Sequence, residues 1–321
     1  MSARPKILVS RHMPAAVAQR MTRDYDVTSF PDDQALSAAQ IIAAAKGQTG
    51  LLICSTEKIT ADVVAQLPDS VKIIATYSVG HEHIDLDAAA ARGIIVTNTP
   101  DVLTDATADI TLLCLLGAAR RAHEGQEMLR QGRWDGWSTT QLCGVQVTGK
   151  RLGILGMGRI GQAVADRARG FNMTIHYHNR TRLHADLERG AIYHDTPEAL
   201  LPHCDFLSLN CPATKETTNF INRETLALLP EGAVVVNTSR GPVIDDDALI
   251  EALNTGRISA AGLDVFNGEP RIDPRYRTIE NAFLLPHMGS ATTETRNAMG
   301  FTCLDNLDAF FANKKPPHAL T

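Results

Sequence analysis

Short apolar runs alternate with stretches of helical periodicity along almost the whole chain. In the N-terminal third, the apolar runs are Lys6–Ser10, Gly50–Cys54, Val71–Thr76 and Gly93–Thr97. Helical patterns, such as those of Ala35–Lys46 and Ala61–Gln66, lie between these runs. Apolar strands separated by helices are typical of a parallel sheet that is covered on both faces. This part of the chain therefore predicts a doubly wound α/β domain.

The rest of the chain predicts a long helix, a second series of strands and helices, and a final helix. The long helix is expected over Thr104–Arg130, with Thr104 as its N-cap. Asp105 and Asp109 would then lie in its first turns, where negative charge suits the helix dipole. The later apolar runs are Arg151–Leu155, Thr174–His178, Phe206–Asn210, Ala233–Thr238, Ala260–Val265 and Ala282–Leu285. The final helix is expected over Thr292–Phe311, with no strand after it.

The order of these elements predicts an α/β protein of two doubly wound parallel-sheet domains, one inserted into the other. A complete strand–helix series precedes the middle of the chain, and the final helix has no sheet partner in the second series. We therefore expect residues 1–99 and 289–321 to form a discontinuous, flavodoxin-like substrate domain. Residues 100–288 are expected to form a Rossmann-type dinucleotide-binding domain. A ligand would then bind in the cleft between the two domains.

Composition and charge exclude several classes of protein. The chain has 321 residues, a net charge of −5 and 44% hydrophobic residues, which is ordinary for a globular protein and gives no basic face for nucleic acid. The longest apolar stretch, Ile110–Ala119, is shorter than the ~20 residues that a membrane span requires. The six cysteines form no C-x-x-C pair, and no signal peptide is visible. These features predict reduced thiols and a cytoplasmic location.

A glycine-rich motif follows the predicted strand Arg151–Leu155 and precedes a helix expected over Gln162–Gly170. Its residues are Gly156, Met157, Gly158, Arg159, Ile160 and Gly161. The first glycine permits a tight turn, the second permits close approach of a pyrophosphate, and the third permits close packing of helix on strand. Because the strand and helix flank the motif correctly, it predicts a dinucleotide site rather than an incidental turn.

The end of the next predicted strand indicates which nicotinamide cofactor is bound. An NAD enzyme normally presents an acidic residue to the ribose here, but this chain has Asn179, Arg180, Thr181 and Arg182. A carboxylate would repel a 2′-phosphate, whereas arginine forks and a hydroxyl can bind one. This segment favours NADP over NAD, and the alternative is an ordinary solvated turn.

Three polar segments follow later strands, at the sheet edge where doubly wound folds bind ligands. They are Asn237–Gly241, Asp264–Pro270 and Pro286–Ser290. His287 is a candidate proton donor, because imidazole titrates near neutrality. Glu269 could fix the tautomer of His287 and favour its protonated form. Arg240 could bind a substrate carboxylate and polarise a carbonyl group.

The glycine motif and these three segments resemble those of the D-isomer-specific 2-hydroxyacid dehydrogenases, and the resemblance covers nearly the whole chain. It implies that Arg240, Glu269 and His287 form the catalytic set, and that Asp264 lies near the nicotinamide carboxamide. The other cofactor contacts that it implies are Thr107, Cys211, Pro212, Thr217, Thr238, Ser239, Gly289 and Ser290.

The first domain is expected to supply the other side of the substrate site. Ser78, Val79 and Gly80 end a predicted strand and resemble the family's loop whose backbone N–H groups bind the substrate carboxylate. The residues that follow, His81–His83, contain two histidines without a third ligand, which is a poor metal site. No metal ion is therefore expected.

The segment Gly132–Trp137 resembles the glyoxylate/hydroxypyruvate reductase and glycerate dehydrogenase branch of this family. The resemblance implies a homodimer in which Trp137 reaches the substrate pocket of the partner subunit. The alternative is that Trp137 only packs at an interface or in the core.

These inferences together predict an enzyme that reduces a small 2-keto acid, glyoxylate or hydroxypyruvate, to the D-2-hydroxy acid with NADPH. In this hypothesis, His287 donates the proton. One alternative is the same chemistry on a bulkier 2-keto acid, such as phenylpyruvate, with NADH. Another is a non-catalytic binding protein that senses the cofactor, because the fold alone does not specify an activity.

Overall fold

The computed structural model describes residues 4–321, which form two compact units. The first unit runs to Leu103 and resumes over Ser290–Thr321, and the second unit is Thr104–Gly289. Each unit contains one parallel sheet with helices, which confirms the predicted fold class. The assignment of a substrate domain to 1–99 and 289–321, and of a dinucleotide-binding domain to 100–288, stays a prediction.

The secondary structure follows the alternation of strands and helices that the sequence predicts. The strands are β1 (Lys6–Val9), β2 (Asp26–Thr28), β3 (Gly50–Ile53), β4 (Ile73–Thr76), β5 (Ile95–Thr97), β6 (Arg151–Leu155), β7 (Thr174–His178), β8 (Ile192–Tyr193), β9 (Phe206–Leu209), β10 (Ala233–Asn237), β11 (Ile258–Leu263) and β12 (Ala282–Leu284). The α-helices are α1 (Ala15–Asp24), α2 (Ala38–Ala44), α3 (Ala61–Gln66), α4 (Leu86–Ala91), α5 (Thr104–Ala119), α6 (Ala122–Arg130), α7 (Arg159–Arg169), α8 (Ala185–Glu188), α9 (Pro197–Leu200), α10 (Arg223–Leu228), α11 (Asp246–Asn254) and α12 (Thr293–Phe311).

The first unit has a five-stranded parallel sheet in the order β2-β1-β3-β4-β5. This order is that of flavodoxin-like folds. Successive strand residues face opposite sides, so Leu51 joins the core under α2 and α3, whereas Leu52 joins the core under α1 and α12. A Cβ on Gly300 would come within 2.5 Å of Val17, which shows how closely α12 packs on α1. The C-terminal helix thus completes the first unit.

The second unit has a seven-stranded parallel sheet in the order β12-β11-β10-β9-β6-β7-β8. The chain leaves β6 for β7 and β8 on one side and returns to β9 and the later strands on the other. Sheets of this kind bind ligands at the carboxyl ends of the strands, where the strand order reverses. The glycine motif follows β6, so it lies at this reversal.

Several predicted elements have different bounds in the structure. The single helix expected over Thr104–Arg130 is divided into α5 and α6, because Arg121 adopts a left-handed conformation with φ 53°. The helix expected from Ala35 begins only after Ser37, which caps it through the backbone N–H of Gln40. The helix expected over 162–170 begins at residue 159. The short strands β2 and β8 were not predicted.

Two further observations concern the chain as a whole. Within residues 4–321, none of the helices combines the length and the apolar character that crossing a membrane requires. The six cysteines are all free thiols. Burial raises the pKa of the Cys211 thiol to about 11, so this side chain is not a reactive thiolate at neutral pH.

Three histidine rings stack beside β7 in the second unit. The ring of His176 lies 5.2 Å from that of His194 and 5.1 Å from that of His203, measured between centroids. His176 Nδ1 and His194 Nε2 are 3.0 Å apart. Burial, and then the neighbouring His194 and His203, lower the pKa of His176 to about 4. The folded protein therefore keeps His176 neutral at pH 5 and above.

We expect the free energy of unfolding to fall by about 1–2 kcal/mol between pH 7 and pH 5 because of His176. The unfolded chain takes up a proton near pH 6.5, whereas the folded chain does not until about pH 4, so acid favours unfolding. Urea denaturation of the wild type and of His176→Phe at both pH values measures the effect. The variant should lose less stability over this range. His184→Gln, which changes an exposed histidine, should behave like the wild type; equal pH dependence in His176→Phe would contradict the prediction.

Candidate active site

The glycine motif after β6 forms a closely packed cradle. Gly156 has φ 96°, and a Cβ there would lie 2.7 Å from the backbone nitrogen of Cys211. A Cβ on Gly161 would lie 2.5 Å from the carbonyl oxygen of Gly156. A Cβ on Gly158, by contrast, would meet no atom within 4 Å. The first and third glycines are therefore needed for packing, and the second leaves open space at the start of α7, as a pyrophosphate requires.

The turn after β7 is held against the glycine motif by Asn179. Its Oδ1 accepts a hydrogen bond from the backbone N–H of Met157 at 2.6 Å, and its Nδ2 donates to the carbonyl oxygen of Met157 at 3.3 Å. Arg180 and Thr181 are exposed. Arg182 is instead paired with Glu188, with Nε at 2.7 Å from Oε1. The structure thus gives the two candidate phosphate-binding arginines different surroundings.

The loop after β9 packs beside the glycine motif and contains further predicted cofactor contacts. Cys211 is buried, and Thr217 Oγ1 donates to the carbonyl oxygen of Pro212 at 2.7 Å. Asn210 Oδ1 accepts from Ser208 at 2.8 Å, whereas Asn210 Nδ2 is buried and has no hydrogen-bond partner in the described part of the chain. This unsatisfied donor lies in the loop that also packs against Gly156.

A second group of predicted cofactor residues is held by Asp264 and by a chain of threonine hydroxyls. Asp264 is 1% exposed and accepts the backbone N–H groups of Met288 at 2.6 Å and of Gly289 at 2.8 Å. Burial raises the pKa of Asp264. Thr238 Oγ1 lies 2.7 Å from the hydroxyl of Thr111. Asp264 therefore fixes the two peptide groups that follow His287.

Thr107 completes this group. The Thr111 hydroxyl donates to the carbonyl oxygen of Thr107 at 2.8 Å, and a Cβ on Gly289 would lie 3.5 Å from the Thr107 side chain. The threonines of α5 and the loops after β10 and β12 are thus in contact within the second unit.

Arg240 is presented by a tight loop after β10. Asn237 Oδ1 accepts from the backbone N–H of Ser239 at 3.0 Å, and Asn237 Nδ2 donates to the carbonyl oxygen of Arg240 at 2.9 Å. A Cβ on Gly241 would lie 2.0 Å from the backbone of Phe266. Only glycine lets the Arg240 loop pack against the loop that carries Glu269. Arg240 Nη1 donates to the carbonyl oxygen of Ser239 at 2.7 Å.

His287 and Glu269 form a direct pair. His287 Nδ1 lies 2.7 Å from Glu269 Oε2, and Glu269 Oε1 accepts the backbone N–H of Phe266 at 2.7 Å. The imidazole is half exposed, and its residue has φ 55°, in the left-handed region that few non-glycine residues adopt. The carboxylate thus orients the ring, and the second nitrogen of the ring remains for a proton transfer.

The charges around Glu269 keep it ionised. Burial works to raise its pKa, but the hydrogen bond from His287, the charge of His287, the N–H of Phe266 and the charge of Arg240 together lower it. The charges of both His287 and Arg240 therefore act on the Glu269 carboxylate. A neutral Glu269 would hold the imidazole less firmly.

The first unit contains the loop that is predicted to bind the substrate carboxylate. Ser78 Oγ donates to the carbonyl oxygen of Gly80 at 2.6 Å, and Asn98 Nδ2 donates to that of Val79 at 2.8 Å. Within residues 4–321, the backbone N–H groups of Val79 and Gly80 have no acceptor. The loop is therefore fixed while its donors remain available. Ser290, also in this unit, accepts from Arg296 Nε at 3.2 Å.

Two other predictions concern Trp137 and a metal ion. Trp137 is 80% exposed, which is unusual for so large an apolar side chain. His83, in the segment that contains two histidines, is buried with its Nε2 2.9 Å from Thr76 Oγ1. Among the described residues, no group of three or more His, Cys, Asp or Glu side chains is arranged to hold a metal ion.

Sequence reasoning did not identify three residues that shape the site. Asn237 organises the Arg240 loop, Thr111 links the cofactor threonines, and Glu188 binds Arg182. Asn237 has a recognisable signal, because an asparagine at the end of a strand often forms an Asx turn. Thr111 and Glu188 have no such signal.

The central part of the chain, which includes the glycine motif, matches a known family. Residues 112–289 match the model of the D-isomer specific 2-hydroxyacid dehydrogenase, NAD binding domain. A glycerate dehydrogenase of Hyphomicrobium methylovorum is 44% identical over 320 residues, which cover 99% of this chain and 99% of the relative.

Two solved structures extend this similarity to the whole fold. A protein of Polaromonas sp. JS6 66, assigned to the NAD-binding D-isomer specific 2-hydroxyacid dehydrogenases, is 48% identical with a TM-score of 0.95, and the match covers 99% of this chain and all of the other. An NADPH-dependent glyoxylate/hydroxypyruvate reductase of Sinorhizobium meliloti, solved with NADP and malonate, is 34% identical with a TM-score of 0.89, covering 99% of this chain and 97% of the other.

Proposed function

Because this chain belongs to the D-isomer specific 2-hydroxyacid dehydrogenases and is an NAD(P)-dependent enzyme, we propose that it reduces glyoxylate or hydroxypyruvate to the D-2-hydroxy acid with NADPH. The observation that carries this proposal is the 2.7 Å contact between His287 Nδ1 and Glu269 Oε2, in the unit that contains the glycine motif. A proton donor and a dinucleotide cradle on one sheet edge suit reduction of a carbonyl group.

The proposed proton donor is His287. When the nicotinamide cofactor is bound, it supplies the hydride for the carbonyl carbon. Glu269 holds Nδ1 of His287, so that the other ring nitrogen carries the proton for the carbonyl oxygen. Because Glu269 stays ionised, it stabilises the charged imidazole before the proton leaves.

Arg240 and the Val79–Gly80 loop are the proposed binding groups for the substrate carboxylate. The Arg240 guanidinium offers a planar fork for a carboxylate and positive charge for the carbonyl oxygen. The available N–H groups of Val79 and Gly80 support a role for this loop as well. These groups would orient the keto acid before the hydride and proton are transferred.

The cradle around the glycine motif fits a dinucleotide, since Gly158 leaves open space and Asn210 Nδ2 is a buried donor without a partner among the described residues. For NADP, the proposal depends on Asn179, Arg180, Thr181 and Arg182, because none of these four residues is acidic. The NADPH dependence named for the Sinorhizobium meliloti relative supports it.

We expect kcat/KM to be higher with NADPH than with NADH, and Arg180→Gln to lower the NADPH value about tenfold. The reason is that Arg180, an exposed arginine in this turn, can pair with a 2′-phosphate that NADH lacks. Steady-state oxidation of both cofactors, with glyoxylate as substrate, measures the ratio. The NADH value should change less than twofold in the variant. A higher kcat/KM with NADH than with NADPH in the wild type would contradict the cofactor proposal.

The choice of small keto acids follows the relatives, which include a glycerate dehydrogenase and a glyoxylate/hydroxypyruvate reductase. Assays with glyoxylate, hydroxypyruvate and phenylpyruvate test it. Faster turnover of phenylpyruvate would favour a bulkier substrate, and absence of turnover with all three would favour a protein that only senses the cofactor.

We also propose a homodimer in which Trp137 reaches the partner's substrate pocket. Its 80% exposure in the single chain supports burial by a second copy, because isolated large aromatic side chains rarely stay in water. Sedimentation and steady-state kinetics of the wild type and of Trp137→Ala separate a role in assembly from a role in the pocket. The first role would lower the dimer population, and the second would raise KM alone.

A further inference from the structure

Arg182 and Glu188 form a two-point ion pair in the segment after β7. Arg182 Nε and Nη2 donate to Glu188 Oε1 at 2.7 Å and to Oε2 at 3.1 Å. The Arg182 guanidinium also lies over the ring of Tyr193, 5.5 Å from its centroid. Arg182 is therefore held in one orientation, although its side chain is 62% exposed.

Glu188 is itself held in place by burial and by the hydroxyl of Tyr177. Its side chain is only 9% exposed, and its Oε1 accepts the hydroxyl of Tyr177 at 2.6 Å. That hydroxyl also accepts the backbone N–H of Leu183 at 3.1 Å. The hydrogen bonds from Arg182 and then from Tyr177 lower the pKa of Glu188 to about 2. Glu188 is thus a fixed negative charge throughout the pH range of enzyme assays.

Arg180 is the natural comparison, because it lies two residues away in the same turn. It is exposed, and no hydrogen bond or ion pair between residues 4 and 321 involves it. The positive charge of Arg182 is cancelled by Glu188, whereas Arg180 has only the longer-range attraction of the exposed Glu216 carboxylate, without a hydrogen bond or ion pair. A phosphate that approaches this turn therefore meets one effective cation and one neutral pair.

We propose that Glu188 is a specificity-determining residue: it withholds Arg182 from the 2′-phosphate and so limits the preference for NADPH. This inference rests on the proposed binding of NADPH at 179–182. The Glu188 carboxylate occupies the arginine fork that would bind the doubly charged 2′-phosphate, and it cancels the positive charge of that fork. NADH has no such group, so the same carboxylate affects it much less.

The first test is Glu188→Gln, which removes the charge but keeps an oxygen for the Tyr177 hydroxyl. We expect the Kd for NADPH to fall about five- to tenfold and the Kd for NADH to change less than twofold. Titration of nicotinamide fluorescence measures both constants on the full chain. An unchanged or weakened affinity for NADPH would mean that Glu188 does not compete, or that it positions Arg182 for the phosphate, and either result overturns the proposal.

The second test is the double variant Arg182→Gln with Glu188→Gln, which removes both charges of the ion pair and leaves neither unpaired. Because the pair is neutral in the wild type, we expect the ratio of the two Kd values to stay within twofold of the wild type. The gain in Glu188→Gln should disappear, since it requires Arg182. A loss of NADPH affinity of more than fivefold in the double variant would show that Arg182 already binds the phosphate, which also overturns the proposal.

Asp186→Asn is the matched control. Asp186 lies in α8 with Glu188, is 89% exposed, and contacts His184 rather than Arg182. The substitution removes one negative charge, as Glu188→Gln does. The Kd values for NADPH and NADH should both stay within twofold of the wild type. A gain equal to that of Glu188→Gln would show that the effect needs no contact with Arg182.

Arg180→Gln separates this inference from the proposed function. If that variant weakens NADPH but Glu188→Gln has no effect, only the role of Glu188 fails. If neither Arg180→Gln nor the double variant changes the Kd for NADPH relative to that for NADH, the proposed 2′-phosphate site itself is wrong.

Discussion

His287→Ala is expected to lower kcat about 10³- to 10⁴-fold while the Kd for NADPH changes less than twofold. The imidazole is the proposed proton donor, and its partner Glu269 cannot replace it because Glu269 reaches only Nδ1 of the ring. The glycine cradle, which is proposed to bind the cofactor, does not include His287. Steady-state kinetics with glyoxylate and fluorescence titration of NADPH measure the two quantities separately.

His123→Ala is a suitable control, because His123 is an exposed histidine on α6. Its kcat should equal that of the wild type. Thermal unfolding of His287→Ala should also be checked, since the residue has a left-handed backbone that alanine tolerates poorly. If a folded His287→Ala variant kept more than a tenth of wild-type turnover, His287 would not be the proton donor.

Most of the fold could be predicted from the sequence because its strands are buried on both faces. Runs such as Gly50–Ile53 and Ala233–Asn237 are continuously buried and mostly apolar, and a parallel sheet covered by helices produces this pattern. The edge strands β2 and β8 are only three and two residues long, and they carry exposed positions. Their pattern is too short to distinguish them from turns.

The break between α5 and α6 could not be predicted for a different reason. Helix breaks are usually marked by Gly or Pro, but the residue in the left-handed conformation here is Arg121. Its guanidinium Nε donates to Glu124 at 2.8 Å, in the first turn of the next helix. The tertiary arrangement therefore overrides a sequence that could continue as a helix.

The sequence predicts the backbone features of the site better than it predicts which side chains pair with one another. The glycine motif has fixed spacing, and the segments with Arg240, Glu269 and His287 each follow a strand, so they share an edge of the sheet. The pairing of Arg182 with Glu188 depends instead on the turn and short helix between them and on the hydrogen bond from the Tyr177 hydroxyl to Glu188. A pattern of charges in the sequence gives no such geometry.

Arg240→Gln is expected to lower kcat/KM about 10³-fold, through both a higher KM and a lower kcat. The guanidinium is proposed to bind the substrate carboxylate, which sets KM, and to polarise the carbonyl oxygen as negative charge develops there, which sets kcat. Arg240→Lys should recover part of kcat, because it restores the charge, but little of KM, because lysine lacks the planar fork.

Arg271→Gln is the control for this change, because Arg271 is exposed, lies close in sequence to Glu269 and carries the same charge. Its kinetic constants should match the wild type within twofold. The loop geometry strengthens the expectation for Arg240, since Asn237 and Gly241 fix the backbone on both sides of it. Glutamine at 240 would leave this backbone intact and remove only the guanidinium. If KM and kcat of Arg240→Gln both stayed within threefold of the wild type, the substrate carboxylate would have to be bound elsewhere, and the Val79–Gly80 loop would be the remaining site to test.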